Sequence, residues 1–102
     1  MAKIIAMYKT PVDAAAFDRY YFGPHAKIAK TVPGLKEYEV MRGPIMTPDG
    51  PAPFHLVAIL SFDSMAAIQA ALTSAQGQAT VADLANFATG GVEILMSDSE
   101  AI

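Results

Sequence analysis

The chain has 102 residues, 53% hydrophobic and 17% charged, with a formal net charge of −3 and no cysteine. Without cysteine there are no disulfides, thiolate metal centres or cysteine nucleophile, and an acidic chain without a Lys/Arg cluster is not a nucleic-acid binder. The length fits a single domain spanning residues 1–102, and the apolar content exceeds what so small a core consumes, so a second subunit or a bound apolar ligand is expected to cover the surplus. The apolar run at Met1–Met7 is too short for a secretory signal or a membrane span, so a cytoplasmic protein is expected, with no membrane partner.

Lys3 to Lys9, KIIAMYK, is a short β-branched and aromatic run ended by Thr10-Pro11, and it reads as a strand. Asp13 is placed to cap a helix through AAAFDRYY. Gly23-Pro24 is expected to interrupt that helix, with Pro24 as the first residue of a second helical piece that Pro33-Gly34 stops. Leu35 to Arg42 alternates, Tyr38, Val40 and Arg42 on one side and Glu37, Glu39 and Met41 on the other, as a second strand. The segment 43–53, GPIMTPDGPAP, is too rich in proline and glycine for regular structure and reads as a long loop.

Phe54 to Phe62, FHLVAILSF, is almost continuously apolar, as expected of a central strand buried on both faces. Asp63-Ser64 then caps a helix with Met65, Ile68 and Leu72 on one side; Gly77 is expected to break it before a further turn or two carrying Val81, Leu84 and Phe87. Gly90-Gly91 leads into a last strand from Val92 to Met96, and the polar tail is expected to be loose. The order βαββαβ is the ferredoxin-like α+β arrangement: a four-stranded antiparallel sheet with helices on one face. Because strands one and three of that pattern carry apolar side chains on both faces (Ile5 and Met7 opposite Ile4, Ala6 and Tyr8; Val57 and Ile59 opposite Leu56, Ala58 and Leu60), the bare face is expected to be covered by a second copy.

The strand ending in Met7-Tyr8-Lys9, followed by Phe17, Tyr20-Tyr21, His25, Ile28-Ala29, Pro33-Gly34-Leu35 and Tyr38, resembles the ethyl tert-butyl ether degradation (EthD) family of the dimeric α/β-barrel superfamily. The specific part of the resemblance is Phe17 to Tyr38. It implies a homodimer whose two sheets pair into an α/β barrel, with a cavity between sheet and helices in each subunit. The superfamily includes cofactor-independent monooxygenases, isomerases, cyclases, haem-degrading enzymes and members of no known activity, so fold and family leave function open.

Phe17, Tyr21 and His25 recur at helical spacing on one apolar face. On residue type alone His25 is either a core histidine satisfied by Tyr21, Tyr38 or a carbonyl, or the polar point of a pocket. The resemblance favours the pocket, with His25 as the catalytic residue and Phe17, Tyr21 and Tyr38 contacting substrate. A place near a helix N-terminus and an apolar setting would both keep the ring neutral, as a general base requires. His55 opens the third strand, as expected of a strand-end histidine near solvent. No metal-ligand spacing or phosphate-binding loop occurs, so no metal and no cofactor are expected. The expected activity, if the protein is an enzyme, is a cofactor-free oxygenation, isomerisation or cyclisation of a small apolar or aromatic molecule, with His25 transferring a proton; the alternative is a non-catalytic ligand carrier or an accessory subunit of an oxidative degradation system.

Overall fold

The computed structural model describes residues 1–102. Six strands and four α-helices follow one another as β1 (Ala2–Lys9), α1 (Ala14–Tyr20), a π-helical turn (Tyr21–His25), α2 (Ala26–Ala29), β2 (Glu37–Met41), β3 (Met46–Thr47), β4 (Gly50–Pro51), β5 (Phe54–Phe62), α3 (Met65–Thr73), α4 (Ala75–Asp83), a 3₁₀ turn (Leu84–Asn86) and β6 (Val92–Asp98). The main sheet has the order β2-β5-β1-β6, with every pair antiparallel. This is the ferredoxin-like α+β fold, helices on one face of a four-stranded sheet.

The sheet is open. β2 and β6 are its two edges, and nothing pairs them, so the expected closure into an α/β barrel is not found. Barrels close when about eight strands with a matching stagger accumulate enough tilt; four strands leave a slab, and the molecule measures 35 × 34 × 17 Å. Strand periodicity sorts the side chains. Ala2, Ile4, Ala6 and Tyr8 of β1 are buried under the helices, whereas Lys3, Ile5 and Met7 are only half-buried on the opposite face. Ile5 stands beside Ile59 on one side and Leu95 on the other, and Leu95 is largely exposed. The uncovered face therefore has an apolar centre flanked by Lys3, Glu37, Glu39 and Glu93.

Several local expectations need correction. Gly23-Pro24 does not interrupt the first helix. The backbone stays right-handed helical on both sides of it, with Tyr20 at φ −72°, ψ −46° and Ala26 at φ −60°, ψ −35°. The turn widens instead: the Ala26 N–H reaches the Tyr21 carbonyl, five residues back, and this looser register accommodates a proline ring that has no N–H to give. Gly77 does not break the second helical region either. Ser74, extended at ψ 159°, does so, and it caps α4 by accepting from the Gly77 N–H at 3.0 Å. Gly77 is required for a different reason, since a Cβ there would lie 1.9 Å from the Ala71 carbonyl oxygen. Within 43–53 the expected loop contains a short β3–β4 hairpin, closed by Thr47 Oγ1 donating to the Gly50 carbonyl at 2.9 Å.

Asp13 and Ser64 cap as their residue types suggest, accepting from the Ala16 and Ala67 N–H groups at 3.1 and 3.0 Å. No helix is long and apolar enough to cross a membrane. Two glycines give a matched test of the packing. Gly77→Ala must push backbone aside and should destabilise the protein by about 1–3 kcal/mol. Gly23→Ala enters open space on a helical backbone and should be neutral or stabilise by up to about 1 kcal/mol. Thermal denaturation of the two variants against wild type checks both, and equal melting temperatures would contradict the packing described.

Candidate functional site

The widened turn matters because of what it aligns. An ordinary α-helix separates residues five apart by about 140° around its axis. The i to i+5 register brings Tyr20 and His25 closer to one line, and both reach the same carboxylate on α4. His25 Nδ1 lies 2.9 Å from Asp83 Oδ2, and the Tyr20 hydroxyl donates to Asp83 Oδ1 at 2.6 Å. Asn86 Nδ2, on the turn that follows α4, donates to the same Oδ1 at 2.9 Å. His25 and Asp83 are both buried, 3% and 6% exposed.

A carboxylate so enclosed, at the unfavourable end of its own helix dipole, persists only with good donors. Burial pushes the Asp83 pKa up, but the hydrogen bonds from Tyr20, Asn86 and His25 outweigh it and hold the group below the usual carboxylate range. Burial is also the main influence on His25 and lowers its pKa, against the opposing pull of Asp83. Near neutral pH the pair is therefore a neutral imidazole beside an ionised carboxylate. With Asp83 accepting, the ring proton sits on Nδ1 and the lone pair on Nε2. The helix N-terminus invoked from the sequence plays no part, because His25 lies within a continuous helical run. Nor is its partner a tyrosine or a carbonyl.

Between sheet and helices lies a cavity of about 350 Å³ with 19 lining residues, 16 of them hydrophobic. Its polar atoms come from His25, Thr80 and the hydroxyls of three tyrosines. His25, Tyr21, Tyr38 and Tyr8 all line it. The Tyr21 and Tyr38 hydroxyls are 2.6 Å apart, so one donates to the other and the acceptor keeps a proton to offer. Burial raises both of their pKa values, as it does that of Tyr8, so all three are neutral phenols at physiological pH. No sealed side-chain nitrogen or oxygen is left without a partner. His25 Nε2 has no protein partner and is therefore not sealed, and the residue lines the cavity. On the rim, Val81 of α4 and Ile94 and Met96 of β6 are substantially exposed and mark where the cavity meets the surface.

Of the residues singled out from sequence, His25, Tyr21 and Tyr38 are brought together on this cavity, and Phe17 is not. Phe17 is 3% exposed and packs behind the wall, stacked on Tyr21 at 5.8 Å and edge-on to Tyr8 and Phe87. Its influence on the site is the placing of Tyr21. His55 is a partly exposed strand-end histidine as expected, with Nε2 2.8 Å from Asp18 Oδ1 and its ring edge-on to Phe17. The two histidines pair with separate aspartates, and no three metal-ligating side chains converge. Sequence reading missed Asp83, Asn86 and Tyr8. The one available signal was a lone carboxylate inside the apolar run VADLANF, where a solvated acid is out of place. Tyr8 was hidden by the alternation that marked β1, which assigns it to the covered face without saying that space lies above it.

Comparison with known proteins agrees with this architecture. An uncharacterised 11.0 kDa protein of Rhodococcus erythropolis, from the thcB–thcC intergenic region, is 34% identical over 102 residues, covering 100% of this chain and 98% of that one. The crystal structure of an ethyl tert-butyl ether degradation family protein from Bacillus halodurans superposes with a TM-score of 0.89 at 31% identity, covering 98% of this chain and 99% of that one. SnoaB of Streptomyces nogalater, described as a cofactor-independent oxygenase, shares the fold at a TM-score of 0.69 and 16% identity, with coverage of 99% and 94%. Residues 9–91 match the EthD domain family, a span that holds Tyr20, Tyr21, His25, Tyr38, Asp83 and Asn86 together, and the chain belongs to that family.

Proposed function

We propose that the protein binds a small, largely apolar or aromatic molecule in the sheet–helix cavity and moves a proton from it at His25 Nε2. One observation carries this reading. A neutral histidine, its Nδ1–H held by a buried carboxylate and its other nitrogen without a protein partner, lines an otherwise apolar space. The carboxylate fixes the tautomer and stabilises the imidazolium that forms once Nε2 has taken a proton, the division of labour that makes a histidine–aspartate pair an effective general base. Tyr21 and Tyr38 contact the same ligand through the proton their hydrogen-bonded pair keeps free. Proton abstraction of this kind is the opening step of a cofactor-free oxygenation, isomerisation or cyclisation. The fold shared with a cofactor-independent oxygenase is compatible with it.

Asp83→Asn separates this reading from a carrier that needs no base. An amide can turn its NH₂ toward Nδ1 and force the proton on to Nε2, abolishing the base while keeping the shape. The His25 ¹⁵N shifts should report Nδ1–H in wild type and Nε2–H in the variant. Titration with naphthalene should shift the amide resonances of cavity residues in both proteins, because the apolar space is unchanged. If naphthalene leaves those resonances untouched, the cavity is not a ligand site; if wild-type His25 carries its proton on Nε2, it is not a base.

The pair should also make the fold acid-sensitive. The unfolded chain takes up a proton on His25 near pH 6.5, whereas the folded chain resists until a lower pH. This stability is complete above about pH 6.5 and declines as pH falls through the folded-state pKa. Asp83, also lowered, adds a further loss below about pH 4. Denaturation midpoints should fall between pH 7 and 5 in wild type and flatten in His25→Gln, which keeps an amide donor toward Asp83 but cannot titrate. An equally steep dependence in that variant would assign the effect elsewhere.

We further infer a homodimer that uses the uncovered sheet face. Ile5, Met7, Ile59 and Leu95 form a contiguous apolar centre there, half-buried or exposed, and faces of this kind serve as interfaces more often than they remain in water. Sedimentation at micromolar concentration should give a dimer, and Ile59→Lys should give a folded monomer. A wild-type monomer would overturn this.

A further inference from the structure

Tyr8 is 2% exposed, points to the helical side of the sheet and lines the cavity, yet its hydroxyl makes no hydrogen bond to any protein group. Because no sealed side-chain oxygen lacks a partner, that hydroxyl is not sealed, and Tyr8 lines the same cavity as His25. Its ring is fixed from three sides, edge-on to Phe17 and Tyr21 at 5.5 Å each and tilted against Phe87 at 5.5 Å. A rigid, almost wholly buried donor on the wall of an apolar cavity has little to do unless a ligand brings an acceptor. The Tyr21–Tyr38 pair supplies a second free phenolic proton on the same wall. Phenols donate readily and stay neutral there, so the site offers two donors to an oxygen and one acceptor, Nε2, to a proton.

We infer that Tyr8 is the oxygen-binding residue of the site, and that the substrate class is a small apolar ketone with an acidic C–H next to its carbonyl. This rests on the proton-transfer reading above and gives it a substrate. The step balances without any oxidant. The C–H bond beside the carbonyl breaks and its proton goes to His25 Nε2. Its electron pair becomes the new C=C bond, and the carbonyl π pair moves on to oxygen. That oxygen takes hydrogen bonds from Tyr8 and the tyrosine pair, while Asp83 offsets the charge on the imidazolium. Return of the proton to the same or another carbon restores the neutral ring and gives exchange or isomerisation. Donors set in a dry cavity where the oxyanion develops lower the barrier more than they strengthen ground-state binding.

The test uses β-tetralone, a bicyclic ketone with an acidic benzylic C–H, and tetralin, the same framework without the oxygen. Affinities come from NMR titration, and proton abstraction from deuterium uptake into β-tetralone in D₂O, read by mass spectrometry. Wild type should prefer β-tetralone to tetralin and accelerate its exchange. Tyr8→Phe should bind tetralin within about twofold of wild type, lose about tenfold in affinity for β-tetralone, and exchange about 10²-fold more slowly or worse. Its melting temperature should not fall, since the hydroxyl removed has no protein partner. His25→Gln should keep β-tetralone affinity and lose exchange. If Tyr8→Phe binds and exchanges β-tetralone like wild type while His25→Gln does not exchange, proton transfer at His25 stands and the role of Tyr8 is overturned. If tetralin does not bind at all, the cavity reading fails and this one fails with it.

Discussion

A carboxylate enclosed by protein is the feature around which this structure is arranged. Removing an isolated carboxylate from water costs several kcal/mol even after relaxation, and Asp83 has the added penalty of lying at the C-terminal end of α4. Three donors from two chain segments offset that cost: Tyr20 and His25 from the first helical run, and Asn86 from the turn just beyond α4. The result is a polar tie between the first helical run and the end of α4. Loss of any one donor leaves a charge that the remaining two must carry.

That tie explains the π-helical turn. Tyr20 and His25 must reach one carboxylate from positions five apart, which a regular helix would point in different directions. Widening the turn across Tyr21–His25 brings them together and leaves Tyr21 and His25 on the cavity wall. Pro24 favours the widening, because its missing N–H and bulky ring disfavour a tight register at that point. A proline that reads in sequence as a helix breaker is, in the folded chain, part of what aims the histidine. Gly77 is a parallel case: its lack of a side chain lets α4 start hard against the end of α3.

The chemistry follows from the contrast between wall and polar points. Most of the cavity wall is apolar, aliphatic or aromatic, so a bound molecule meets few polar groups, and each of them counts for more than it would in water. His25, Tyr8 and Tyr21 pack against Phe17 and Phe87. Rigid backing of this kind is what allows a small site to hold donors and an acceptor in a fixed relation. The sheet has a complementary asymmetry, one face closed by helices over the cavity and the other left apolar and open.

Much of the architecture was legible in the residues alone. Period-two alternation in KIIAMYK and EYEVM, the continuous apolar run FHLVAILSF and the caps at Asp13 and Ser64 are local signals, and local signals suffice to set strands, helices and their order. His25, Tyr21 and Tyr38 could be grouped for the same reason, since two share a helical face and the third lies on the next strand. Whatever depends on contacts distant along the chain was not legible. Asp83 lies 58 residues from His25, and no spacing rule links them; only the docking of α4 on the first helical run makes them partners. Phe17 and Tyr21 share a helical face, yet packing against Tyr8 and Phe87 keeps Phe17 behind the wall while Tyr21 lies on it. An open sheet in place of a closed barrel is likewise a matter of strand number and edge pairing in space. Sequence determined which groups could do chemistry; the tertiary structure decided which of them meet, because burial and hydrogen bonding are properties of neighbours in space and not of neighbours along the chain.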